Sequence, residues 1–188
     1  MRIIAGRFKG RVLTSFQASH IRPTTDRVKE SLFNKWMGYL PDSRVLDLFS
    51  GTGNLRIESL SRGASFIDFV EMNMKSIEIL KKNLALLSIK NDEVKIHKQD
   101  VLLFLKKYNG RAYNLILVDP PFTEKMAHQV MDALDQSLCF DADTLIAIES
   151  HKKERIDEEY ANLFRYDFND YGDKILSFFR KKAQTEAD

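Results

Sequence analysis

Short strand-like runs, of which 115–118 is continuously apolar, alternate along the middle of this chain with longer stretches whose apolar residues recur every three or four positions. The runs cover 45–48, 66–70, 94–97, 115–118 and 145–148. The intervening stretches, 55–62, 74–87, 101–108 and 125–138, have helical periodicity. A continuous rather than alternating apolar run suits a strand buried on both faces, and strands interleaved with helices predict a parallel sheet with helices on both faces. The rhythm changes at "FRYDFNDYGDKILSFFRK". No crossover helix fits between its two strand-like halves, so an antiparallel hairpin is predicted, for seven strands in all.

The N-terminal region reads differently. "RIIAGRFKGRVL" alternates short apolar pieces with Gly6 and Gly10 and predicts a small β-ribbon. In "RPTTDRVKESLFNKWMGYL", Thr24, Thr25 or Asp26 can cap a helix with Val28, Leu32, Phe33, Trp36 and Leu40 on one face, closed by Pro41. The expected organisation is a basic extension over 1–40, a main domain over 41–180 and a polar tail over 181–188 that frays.

With 188 residues the chain suffices for one α/β domain with a sizeable core. No run approaches the roughly 18 apolar residues of a membrane span, and the start lacks the pattern of a secretion signal. Cys139 is the one cysteine and reads as a core residue in a reducing cytoplasm. The histidines are scattered, so no metal site is expected. The net charge of +2 conceals an asymmetry. Residues 1–35 hold Arg2, Arg7, Lys9, Arg11, Arg22, Arg27, Lys29 and Lys35 against Asp26 and Glu30. A basic arm on a mildly acidic body is matched to an anionic partner such as RNA.

Four acids fall at predicted strand ends. Asp47 precedes the turn Phe49-Ser50-Gly51-Thr52-Gly53, whose glycines let backbone approach a ligand at a helix N-terminus. The dinucleotide pattern G-x-G-x-x-G fails, because Arg56 stands at its third glycine. Asp47 would repel a pyrophosphate and favour a cationic amino group. Glu71 ends the second strand, where a carboxylate can accept both ribose hydroxyls of a nucleoside, and Met72 can lie against the base. Asp100, followed by Val101, can cap a helix or accept from an exocyclic amine. Asp119 opens "DPPF", Asp119-Pro120-Pro121-Phe122, where the prolines must stop the strand. Crowded carboxylates require a ligand that brings donors and positive charge, and S-adenosylmethionine brings both.

These features together resemble a known family. "DPPF" resembles the motif of enzymes that methylate exocyclic amines of bases. "RIIAGRFKGRVL", "RPTTDRVKESLFN", "LDLFSGTGNLRIESLSRGA", "VEMN" and "LVDPPF" resemble the RsmD family of bacterial 16S ribosomal RNA guanine-N2 methyltransferases. The resemblance implies a Rossmann-like class I methyltransferase fold, S-adenosylmethionine as cofactor, and a monomer acting on ribosomal RNA in the cytoplasm, free or in an assembling small subunit. By the same resemblance, Asp119 and the Pro120 carbonyl grip the amine while Phe122 stacks on the base. Thr25, Arg27 and Glu30, with Thr24, belong to a segment that closes over the cofactor or the base. Arg2, Arg7, Lys9, Arg11 and Arg22 would hold RNA phosphates. The family usually has small residues where this chain has Asn54 and Arg56. Methylation of adenine N6 or of a glutamine amide, a nicotinamide oxidoreductase and a non-enzymatic RNA-binding domain are the alternatives. The first two share the "DPPF" chemistry, the third lacks its glycine, and the basic arm alone would permit the last.

Overall fold

The computed structural model describes residues 2–15, 26–123 and 125–183, without the side chains of residues 26 and 27. Seven strands form one sheet: β1 (Arg44–Leu48), β2 (Phe66–Glu71), β3 (Val94–Lys98), β4 (Leu115–Val118), β5 (Leu145–His151), β6 (Leu163–Asp170) and β7 (Lys174–Lys181). Their spatial order is β3-β2-β1-β4-β5-β7-β6. The first five are parallel, and β7 enters antiparallel between β5 and β6. The predicted hairpin is therefore present, and it closes one edge of the sheet.

Strand alternation divides the core cleanly. Val45, Ile67, Phe69, Leu115, Leu117 and Ala147 face one cluster, while Leu46, Leu48, Val70, Ile116, Val118 and Ile148 face the other. Burial of both faces is why these strands carry no polar alternation. Helices α1 (Asp26–Lys35), α2 (Ile57–Ser61) and α3 (Met74–Leu86) supply the first cluster; α4 (Val101–Lys107) and α5 (Met126–Asp135) supply the second. The expected helix 125–138 stops at Asp135, and both the amide and the hydroxyl of Ser137 then donate to the Leu134 carbonyl. Cys139 is buried in the second cluster, where loss of water pushes its thiol up to about 12.

The N-terminal ribbon is reduced to one bridge, Arg2 with Val12, around a turn in which the Ile3 amide donates to Arg11 and the Gly10 amide to Ile3. Ile3 and Leu13 of this segment, with Val28, Leu32 and Phe33 of the first helix and Trp36 just beyond its end, nonetheless enter the first core cluster. A 3-10 turn, Met37–Tyr39, leads from that helix to Pro41. No helix among the described residues is long and apolar enough to cross a membrane.

Candidate active site

The strand order reverses between β1 and β4, and open α/β sheets bind ligands at the carboxyl ends flanking such a reversal. Asp47 lies in register with Leu117, and the Asp119 amide donates to the Leu48 carbonyl at 3.3 Å. The acid of the first strand and the acid after the fourth are thus neighbours on one face of the sheet.

Beyond Leu48 the chain turns through Phe49 at φ 65°, a left-handed conformation that costs a residue with a Cβ about 1–3 kcal/mol. Gly51 and Gly53 follow at φ 52° and 73°. A Cβ on Gly53 would lie 2.3 Å from Leu80 Cδ1, so a side chain there would displace the end of Leu80 in addition to the strain its φ imposes. A Cβ on Gly51 would meet nothing within 4 Å, so the loop leaves open space beside it. Asn54 is buried, and its side-chain oxygen accepts from Asn83, which also donates to the carbonyls of Thr52 and Thr14. The buried Asn54 amide is therefore held by a hydrogen-bonded brace.

Glu71 is held rather than free. It accepts the amides of Gly51 at 2.7 Å, Met72 at 2.9 Å and Asn73 at 2.7 Å. A carboxylate has about four acceptor positions, so capacity remains for about one further donor. Met72 beside it is exposed. Asp100 caps α4 by accepting from the Leu103 amide with one oxygen, leaving the other toward solvent, and Val101 behind it is buried. Both functions foreseen for Asp100 are compatible.

Asp47 is fully buried, and neither carboxylate oxygen has a hydrogen-bond partner among the described residues. Arg56 Nε lies 2.8 Å from Oδ1 but off the line its N–H requires. Burial, only partly offset by Arg56 and reinforced by Asp119 and Glu71, pushes the Asp47 carboxyl up to about 7. A buried anion so poorly satisfied fits a site that receives a cationic group. The donor set fits S-adenosylmethionine: Asp47 suits its ammonium, Glu71 a ribose hydroxyl and Asp100 an adenine amine.

Asp119 is about one-third exposed, Pro120 is buried, and Pro121 and Phe122 stand at the surface. Phe122 is 52% exposed, yet its ring lies 4.4 Å from that of His151, tilted by 35°. The Asp119 carboxyl is raised by burial and by Glu149, against the pull of Arg56 and Lys174. Glu149, at the end of β5, pairs with Lys174 at the start of β7. Arg56, Glu149, Lys174 and His151 were not foreseen as site residues. Extending the strand-end rule to the fifth strand would have found Glu149 and His151; Arg56 was marked only as the residue at the missing third glycine, and Lys174 carries no local signal.

The remaining expected residues divide. Glu30 is exposed on α1. Arg22, Thr24 and Thr25, with the side chains of Asp26 and Arg27, lie outside the described residues. Arg7 pairs with Glu93 and covers the ring of Phe8 at 4.6 Å, and Arg11 donates to the Leu86 carbonyl at 3.1 Å. Arg2 and Lys9 are exposed beside them. No cluster of three or more His, Cys, Asp or Glu able to hold a metal occurs among the described residues.

Comparison with known proteins places this geometry. Residues 1–180 match the family described as Conserved hypothetical protein 95. The chain is 38% identical over 153 residues to ribosomal RNA small subunit methyltransferase D of Haemophilus influenzae, covering 81% of this chain and 79% of the relative. It is 32% identical over 188 residues to the protein of the same name from Escherichia coli K12, covering 100% and 93%. The solved structure of the Escherichia coli protein yhhF matches with a TM-score of 0.84 at 29% identity, over 98% of this chain and 99% of that one.

Proposed function

This chain belongs to the RsmD family, and we propose that it methylates the exocyclic N2 amine of a guanine in small-subunit ribosomal RNA. The observation that carries the reading is the placement of Asp119, on a turn stiffened by two prolines, next to the unsatisfied carboxylate of Asp47. Asp47, Glu71, Asp100 and the backbone around Gly51 would hold S-adenosylmethionine, which supplies an electrophilic methyl group when bound.

A guanine N2 is a weak nucleophile because its lone pair is delocalised into the ring. Asp119 and the Pro120 carbonyl can accept its two hydrogens and draw the nitrogen toward tetrahedral geometry. Both prolines limit reorganisation of these acceptors, so their alignment is in place before reaction. Phe122, exposed at the rim and backed by His151, offers a face on which an extruded base can stack. Arg2, Arg7, Lys9 and Arg11 would contact phosphates and set register rather than choose sequence. Packing of 2–15 and α1 into the main core supports one unit, read as a basic extension over 1–40 on a domain over 41–180. We read the protein as a cytoplasmic monomer that meets its RNA free or in an assembling small subunit.

Labelled S-adenosylmethionine incubated with the protein and with undermodified small-subunit RNA or particles tests this directly. Label recovered as N2-methylguanosine is the expected result. Label in DNA, in adenosine or in a protein glutamine, with none in guanosine, would replace the proposal by the corresponding amine methylation.

A further inference from the structure

Arg56 stands where the dinucleotide pattern would have its third glycine, yet it is buried and its guanidinium lies between the carboxylates of Asp47 and Asp119. Nε is 2.8 Å from Asp47 Oδ1 and the terminal Nη1 is 3.7 Å from Asp119 Oδ2. Neither contact is complete: the first lacks alignment and the second is long. On the far side of Asp119 the series continues through Glu149 to Lys174. Asp47, Arg56, Asp119, Glu149 and Lys174 therefore form one row of three acids and two cations across the ends of β1, β4, β5 and β7, with the like charges of Asp119 and Glu149 adjacent. One cation serves two anions, and whichever acid finds another counter-charge releases Arg56 to the other.

We propose that Arg56 is a positioning residue that passes from Asp47 to Asp119 when the methyl-donor site fills, so that the amine-gripping carboxylate is aligned only beside a bound donor. The inference rests on the donor reading of the Asp47 pocket. Asp47, engaged by the donor's ammonium, no longer attracts Arg56. Of the two acids it serves, Asp119 is then the one left to it, and the 3.7 Å contact can close to a charge-assisted hydrogen bond. Arg56 in that position opposes the repulsion of Glu149 and leaves an Asp119 oxygen for the amine hydrogen. The device links the two substrates through one side chain, without a moving domain.

Every charged group facing these acids enters the expected pH behaviour. Asp47 faces Arg56, Asp119 and Glu71; Asp119 faces Glu149, Arg56 and Lys174. Lys29 lines the same small cavity as Arg56 and Glu149 but is held by Glu58. With Arg56 neutralised, Asp47 loses its nearest counter-charge and ionises at higher pH.

The test is calorimetric titration with S-adenosylhomocysteine from pH 5.5 to 9, on the full chain and on Arg56→Met and Arg56→Lys. The full chain should show affinity rising about tenfold per pH unit below a midpoint near 7, the value to which Asp47 is raised, and a plateau above it. Arg56→Met should move that midpoint up by a unit or more, and Arg56→Lys should restore most of it. Carboxylate NMR of 13C-aspartate-labelled wild-type protein is the companion measurement, needing no variant to fold. On addition of S-adenosylhomocysteine the Asp119 titration should move to lower pH. An unmoved Asp119 titration with the ligand bound, or an unchanged midpoint in Arg56→Met, would make Arg56 a packing residue and overturn the inference alone. Absence of S-adenosylhomocysteine binding at every pH would instead overturn the donor reading beneath it.

Discussion

Lys29 Nζ and Glu58 Oε2 meet 2.8 Å apart with both side chains wholly buried. Glu58 also accepts the amides of Ile4 at 2.9 Å and Ala5 at 3.0 Å and the Arg62 Nε at 2.9 Å. One carboxylate on α2 thereby fastens the N-terminal segment and α1 beside the glycine loop, which it directly follows in the chain.

Loss of either partner leaves a buried charge uncompensated. Glu58→Gln should lower the unfolding free energy by about 3–5 kcal/mol, measured by urea denaturation, and Lys29→Met in the same chain should recover part of it. Burial pushes the Glu58 carboxyl up, but the hydrogen bonds from Lys29 and the Ile4 amide prevail and hold it below its ordinary 4.5. Its contribution is therefore complete above pH 4.5 and is lost as pH falls through the lowered native value. The urea midpoint should fall more steeply with acid in the wild type than in Glu58→Gln.

Asp47 has the opposite sign. A carboxyl raised from 3.8 to about 7 makes the folded protein lose stability as pH climbs between those values, and the ionised form is the one that attracts a cation. Asp47→Asn should weaken S-adenosylhomocysteine binding by tenfold or more at pH 8 and abolish its pH dependence. Isothermal calorimetry at three pH values reads both effects; an unaltered affinity would remove Asp47 from the donor site.

Asp119 and Phe122 should separate chemistry from cofactor binding. Asp119→Ala should lower turnover by about a hundred- to a thousandfold while S-adenosylhomocysteine still binds. Phe122→Ala should weaken productive RNA binding by about 1–3 kcal/mol, the usual worth of one base–aromatic stack, and Phe122→Trp should retain it. Single-turnover kinetics across RNA concentration distinguishes the two losses.

The basic segment acts through charge. Replacing Arg7, Lys9 and Arg11 by alanine should weaken RNA binding and reduce the slope of log affinity against log salt by about 2–3. Lys9→Ala alone should account for a disproportionate share, because Arg7 is already paired with Glu93. Filter binding at four salt concentrations checks this; an unchanged slope would assign the charge to solvation only.

Much of this molecule is written locally. The five inner strands follow from short apolar-rich runs set between helical stretches, the stop after Val118 from two prolines, and the caps of α3 and α4 from Asn73 and Asp100 immediately before them. The strand-end acids were legible for the same reason: a residue at the end of an apolar run is at the end of a strand, whichever strands become its neighbours. What the sequence could not express is which strand ends adjoin. Arg56 between Asp47 and Asp119, Glu149 with Lys174, Phe122 over His151 and Lys29 with Glu58 join residues 9 to 63 positions apart. The contacts of Asp119, Phe122 and Glu149 exist because β4 inserts between β1 and β5 and β7 beside β5, and the Lys29–Glu58 pair because α1 and α2 pack into the same core cluster. Short-range chemistry and periodicity set the elements and their tips; only global burial could decide which charges would share a cavity.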